Sequence, residues 1–405
     1  MIEISQEVQY LLNRLEQNGY EAYLVGGCVR DALLGRVPQD WDLCTSASPA
    51  QTAACFLDQR ISLAGFRHGT VGVLLGGHPY EITTYRAEKG YTDGRHPDKV
   101  NFVSDLKQDL ARRDFTVNAM AYHPRRGLVD PWRGQADLEQ GLLRCVGDPF
   151  LRFSEDALRI LRGMRFASTY SFEIEENTAR AAVHCRRRLE QISAERVQAE
   201  LSRFLTGSMA GQVLSRFWPV FAAVLPECGE DPVVWEQTAA RLSRAKADLT
   251  VRLAVLLSGV PQGVAALERL RFGKKLSEDV RTLVAKAKGH PFTDITAKQL
   301  LREMGEPMAR CWVDYRFAMD GEENRYREWR LTLERTLREG QCYSLRQLAI
   351  GGRELMSLGY TGPQVGACLE HLLDRVIRGK TENTAPALLE QANRQKSGGS
   401  TISSQ

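Results

Sequence analysis

The stretch "AYLVGGCVRDALLGRVPQDWDLCTSA", residues 22–47, decides the fold. "AYLV" reads as a short apolar strand running into Gly26-Gly27. Helical spacing starts at once in "CVRDALLG" and closes at Gly35. "DWDLCTS" then reads as a second strand, entered through Asp40 and Asp42. A strand, a glycine turn, a helix and a strand in quick succession begin an α/β unit. Glycines permit close backbone approach, and the following helix start offers free N–H groups to an anion. Arg30 lies in that first turn. The glycines match neither a Walker phosphate loop nor a G-x-G-x-x-G fingerprint, so a purely structural turn explains them equally well.

The paired acids ask for a reason. Along a strand, residues i and i+2 share a face, so Asp40 and Asp42 are expected side by side. Two adjacent carboxylates repel and raise one pKa. A divalent cation removes that penalty, and Mg²⁺ takes hard oxygen ligands of this kind. The competing reading is an exposed strand end with Asp40 in a turn. Glu81, in "HPYEITTYR", adds a third acid if its strand lies beside "DWDLC". Three carboxylates near a phosphate-binding turn suit two-metal phosphoryl or nucleotidyl transfer. Trp41 points to the opposite face and is expected to pack in the core.

The surrounding elements extend the pattern. Residues 1–20 read as an amphipathic helix. "SPAQTAACFLDQ" offers Ser48 as N-cap and Pro49 at the first helical position. "TVGVLLGGHPYEITTYR" reads as a hairpin turning at "GGHP". After about residue 145 helical periodicity takes over and no strand runs stand out. The expected fold is therefore an α/β N-terminal head, a mixed sheet with helices, followed by an all-α part. The subdivision expected is head 1–145, neck 146–205, body 206–320, tail 321–385 and a disordered polar end 386–405.

Composition narrows the class. The chain has 405 residues, 43% hydrophobic and 26% charged, which fits an ordinary globular protein of more than one domain. No apolar run reaches the ~18 residues of a membrane span, and the start lacks a signal-peptide pattern. A cytoplasmic location is expected. The nine cysteines are scattered without a C-x-x-C pair, which speaks against a disulfide framework or zinc site. A net charge of +4 is mild, but arginines cluster at 112–113, at 159, 162 and 165, and at 186–188. A polyanionic partner fits such clusters, as do solvated helix faces.

"LVGGCVRD" followed by "DWDL" resembles the nucleotidyltransferases of the DNA polymerase β type. "DLARRDFTVNAMAY" and "EDALRILRGMRFA" narrow the resemblance to class II tRNA nucleotidyltransferases, the CCA-adding enzymes, and the related bacterial poly(A) polymerases. "ISAERVQAEL" is similar to a later neck motif of that family. The resemblance covers roughly residues 20–205. It implies template-independent addition of CCA to the tRNA 3′ end from CTP and ATP, with Mg²⁺. It implies that Asp40 and Asp42 hold the metals, with Glu81 a less direct transfer. Gly26, Gly27, Arg30 and Arg113 would contact the triphosphate. Asp156 and Arg159 would read the base, and Arg162 and Arg165 would help hold the nucleotide.

The base-reading role has its own logic. At i and i+3 of one helix, Asp156 and Arg159 would be neighbours. A carboxylate accepts from the amino group of C or A, and a guanidinium donates to the unprotonated ring nitrogen beside it. U and G mismatch both contacts. A good bidentate contact discriminates by roughly 1–3 kcal/mol. An ordinary helical ion pair is the alternative. "RAEKGYTDGRHPDKVNF" reads as a mobile loop, with Arg95 and His96 unassigned. Rival functions are a poly(A) polymerase, a partial CC- or A-adding enzyme, and a non-catalytic RNA-binding protein. Monomer and homodimer both stay open.

Overall fold

The computed structural model describes residues 2–89, 99–260, 262–286 and 292–399. Helix α1 (Gln6–Gln17) is capped by Ser5 and buries Val8, Leu11, Leu12 and Leu15 along one side. The strands that follow are β1 (Ala22–Val25), β2 (Asp42–Thr45), β3 (Arg60–Ser62), β4 (Thr70–Leu75) and β5 (His78–Thr84). Next come β6 (Arg86–Lys89), β7 (Lys99–Phe102), β8 (Ala121–His123) and β9 (Gly127–Val129). Seven of them form one mixed sheet in the order β3-β4-β5-β2-β1-β8-β9, while β6 and β7 pair as a separate ribbon. Central β2 runs antiparallel to β1 and parallel to β5, with Asp42 opposite Glu81. The β4–β5 turn is Gly76-Gly77, both left-handed, the geometry a two-residue hairpin requires.

Helices α2 (Gly27–Leu33), α3 (Pro49–Cys55), α4 (Leu106–Ala111) and α5 (Gly134–Glu139) flank the sheet in sequence. Ser48 and Gln51 close a capping box on α3, with Pro49 at its start as expected. Beyond the sheet lie α6 (Pro149–Glu155), α7 (Leu158–Tyr170), α8 (Glu176–Cys185), α9 (Ala194–Leu205) and α10 (Ala210–Val224). The chain forms two compact units, residues 1–240 with 265–271, and residues 241–264 with 272–405. The expected head and neck both lie in the first. The second unit carries its own core, including Leu355, Leu372, Leu373, Leu388 and Ala392. No helix among the described residues is long and apolar enough to cross a membrane. All nine cysteines are free, eight of them buried.

Four local expectations change. β2 begins at Asp42, so Asp40 sits in a bend before the strand and the i, i+2 face rule does not reach it. Trp41 is half-buried rather than a core residue. The helical region contains a two-residue strand, Glu173–Ile174, paired with Leu142–Leu143, too short to leave a period in the sequence. The expected disordered end at 386–405 is helical from Ala385 to Gly399. Leu388 and Ala392, one turn apart, are fully buried there, and that apolar anchor outweighs the polar composition. Residues 90–98 of the expected loop, with Arg95 and His96, lie outside the described residues, as do 400–405.

Candidate active site

A polar cavity of about 570 Å³ opens beside the N-terminus of β2. The loop from α2 to β2 supplies Asp40 and the first residue of β2 supplies Asp42. Gly27, Arg30 and Asp31 come from α2, Arg165 and Tyr170 from α7. Asp42 is exposed to the cavity while the rest of β2 is buried. Its partial desolvation raises the carboxyl pKa, and the nearby charges of Glu81 and Asp40 push the same way while Arg113 opposes them. Such an over-concentration of negative charge is what a bound cation relieves. Glu81 lies next to Asp42 across the parallel ladder but does not line the cavity. Among the described residues no three His, Cys, Asp or Glu side chains converge as a metal cluster. Of the three cavity carboxylates Asp31 is engaged by Arg30 and Tyr170, and Asp40 and Asp42 are hard oxygen donors that fit Mg²⁺ with substrate oxygens completing its shell.

Gly26 is left-handed, with φ of 79°, and its N–H donates to the Met120 carbonyl. A Cβ there would stand 2.8 Å from a terminal nitrogen of Arg113, so glycine admits that guanidinium. Arg113 in turn pairs with buried Asp109 at 3.3 Å. Arg30 was expected at the triphosphate. It reaches the cavity wall, but it is buried and committed. It donates to Asn118 Oδ1 at 2.5 Å, Tyr170 Oη at 2.7 Å and Asp31 Oδ1 at 3.0 Å. Its guanidinium also stacks on Tyr170, 4.5 Å from the ring centre. Arg30 thus ties α2 to α7.

Asp156 and Arg159 are not on one helical face. Asp156 is extended, with φ and ψ of −143° and 103°, in the break between α6 and α7. Its Oδ1 accepts the Leu158 N–H at 3.0 Å, an end-capping bond that explains why an acid halts the helix there. Its Oδ2 accepts from Arg196 at 2.8 Å. Arg159 donates to Glu155 at 2.6 Å and to the Arg112 carbonyl at 3.1 Å. Each side chain thus has an ion-pair partner of its own, Arg196 for Asp156 and Glu155 for Arg159.

Further along α7, Arg162 pairs with Asp114 at 2.7 Å and Arg165 with Glu200 at 3.2 Å. Asp114 is buried and also accepts from Phe115 N–H and Asn118 Nδ2. Arg162 and these donors hold its carboxyl far below the ordinary range despite desolvation. Arg165 also lies 4.3 Å over the Phe166 ring. Sequence reasoning missed Asp114, Asn118, Tyr170, Arg196, Glu200 and Arg203. For Arg196 and Glu200 a signal existed: in "ERVQAEL" they fall at i and i+4, on one side of α9 facing α7.

Comparisons with known proteins bear on the family and the fold. The family model described as "Poly A polymerase head domain" matches residues 22–144. A second, "Probable RNA and SrmB- binding site of polymerase A", matches 171–226. The chain is 36% identical over 384 residues to the CCA-adding enzyme of Levilactobacillus brevis, covering 94% of this chain and 95% of that one. The structure of the Bacillus stearothermophilus CCA-adding enzyme in complex with CTP superposes with a TM-score of 0.80 at 28% identity, covering 98% of both chains. The Thermotoga maritima CCA-adding enzyme complexed with tRNA shares the fold, with a TM-score of 0.71 at 22% identity, covering 97% of this chain and 96% of that one.

Proposed function

The chain belongs to the CCA-adding enzymes, and from that premise we propose how its own residues divide the work of adding CCA to the 3′ end of tRNA from CTP and ATP. The observation that supports the division is one cavity with Asp40 and Asp42 on one side and arginines of the helical layer on the other. Asp40 and Asp42 hold Mg²⁺, and Glu81 acts on Asp42 by charge. Bound there, the metal supplies a lowered pKa for the attacking 3′-hydroxyl and charge neutralisation for departing pyrophosphate. Arg113, admitted by Gly26, and the Gly27 backbone bind the triphosphate. Arg30 positions the α2 turn through Asn118 and Tyr170.

Asp156 and Arg159 read the base from two separate attachments. Each Asp156 oxygen already accepts one hydrogen bond and retains a lone pair for an amino group. Arg159 must turn one donor from a protein acceptor to the base. Arg162 and Arg165 sit on the next turns of α7 and steady the nucleotide. The subdivision into head, neck, body and tail, with body and tail gripping tRNA, is part of the same proposal, as is a cytoplasmic location.

Asp42→Asn tests the division. It keeps the shape and removes the charge. Loss of a metal ligand removes several kcal/mol of transition-state stabilisation, so addition falls by at least ~10³-fold. Binding of tRNA, measured by filter retention, stays near wild type. Turnover within tenfold of wild type contradicts the assignment. Poly(A) synthesis, suggested by the name of the head model, would show as A tracts on the product.

A further inference from the structure

Two arginines in the cavity have no role in the division above. Arg36, in the loop before Asp40, and Arg203, near the end of α9, both line it. Both are exposed, and among the described residues neither forms an ion pair with a carboxylate. Arg36 instead lies over the Tyr170 ring, its guanidinium carbon 4.7 Å from the ring centre. Arg203 adds its charge to that of Arg165, which already feels Arg162, with Glu200 and Asp114 offsetting them. Beside Arg36, Val37 stands 91% exposed at the cavity mouth, an apolar surface with no protein partner to explain it. Cations left without acids, next to an apolar contact, suit a phosphodiester with its base.

Two anions meet in the reaction, the incoming triphosphate and the backbone of the RNA end. Of the groups proposed to bind nucleotide, Gly27 and Arg165 line this cavity, while Arg113, Asp156, Arg159 and Arg162 do not. Arg159 and Thr169 both belong to α7, and at 1.5 Å per residue they stand about 15 Å apart along its axis. Asp40 and Asp42 share their cavity with the C-terminal part of α7, Arg165, Phe166, Thr169 and Tyr170. In-line displacement requires the attacking hydroxyl to arrive opposite the leaving pyrophosphate. We propose that Arg36 and Arg203 bind backbone phosphates at the 3′ end of the RNA acceptor, with Val37 against its terminal base. The proposal rests on Asp40 and Asp42 being the catalytic end.

The test is steady-state kinetics on tRNA lacking its CCA end, with the KM for tRNA and for CTP measured separately. Arg36→Ala and Arg203→Ala each remove a charged hydrogen-bonding group, so each raises the tRNA KM roughly tenfold. The CTP KM stays unchanged. The slope of log affinity for tRNA against log salt becomes shallower by about 0.7 per lost phosphate contact. Arg36→Lys, which keeps the charge, recovers most of the tRNA KM. A rise in CTP KM equal to that for tRNA, or no change in either, overturns the proposal. If the wild-type protein extends tRNA but the variants keep its KM, only this inference fails. If the wild type adds nothing to tRNA, the catalytic reading fails with it.

Discussion

Asp114 shows how a single buried acid organises the arginines around it. Its carboxylate joins Arg162 of α7 to the Phe115 N–H and to Asn118, which in turn accepts from Arg30. Replacing it with Asn removes the charge-assisted bonds and costs about 1–3 kcal/mol at pH 7. The pH dependence has a fixed sign. The folded-state pKa is depressed, so the stabilising contribution is complete above the unfolded value near ~4, starts to fade below it and is lost as pH falls through the lower folded-state value. Urea unfolding should therefore show a clear gap between wild type and Asp114→Asn at pH 7 that narrows by pH 3. An equal gap at both values would assign the loss to packing. Arg159 makes a different prediction. Arg159→Ala should weaken selection of CTP and ATP over UTP and GTP by roughly tenfold or more, the share of a base contact of ~1–3 kcal/mol. Misincorporation counted by sequencing RNA ends checks it, and unchanged selectivity returns Arg159 to a scaffold role with Glu155.

At the scale of elements, α7 is the spine of the site, and its neighbours set its position. Gly207, just past α9, packs against Ser168 so closely that a Cβ would come within 2.7 Å of the Ser168 carbonyl carbon. The Ser168 hydroxyl donates to the Phe204 carbonyl there, and its own carbonyl accepts the Met209 N–H. Gly207→Ala should push α7 from α9 and destabilise the protein by about 1–3 kcal/mol, read as a lowered Tm. An unchanged Tm would show that this contact yields freely. Much of the element pattern was legible from spacing. The glycine turn after β1, the Ser48–Pro49 start of α3 and the Gly76-Gly77 hairpin each rest on local backbone preferences that a sequence carries. The pairing of β2 with β5 entered only as a condition, and the parallel ladder between them meets it. Tertiary decisions were hidden. Asp156 ends one helix rather than continuing it because its carboxylate finds Leu158 N–H and Arg196, and Arg196 lies far along the chain. The helix at Ala385–Gly399 forms because Leu388 and Ala392 find a core, which composition alone does not reveal.

For the whole molecule, the head sheet and the helices through α10 form one compact unit, and that unit contains every proposed chemical group. The second unit has a separate core, including the stacked rings of Phe292, Trp312 and Trp329. The proposed division of labour places chemistry and base choice in the first unit and the grip on the body of tRNA in the helical remainder. The central claim is that protein side chains, without a nucleic-acid template, dictate both the identity and the order of the added nucleotides. The direct measurement is incubation of the purified protein and Mg²⁺ with tRNA lacking its CCA end, followed by sequencing of the 3′ termini. CTP alone should yield CC, ATP alone should add nothing to that end, and both together should yield CCA and stop. Long A tracts, or ends extended equally by UTP and GTP, would contradict the account.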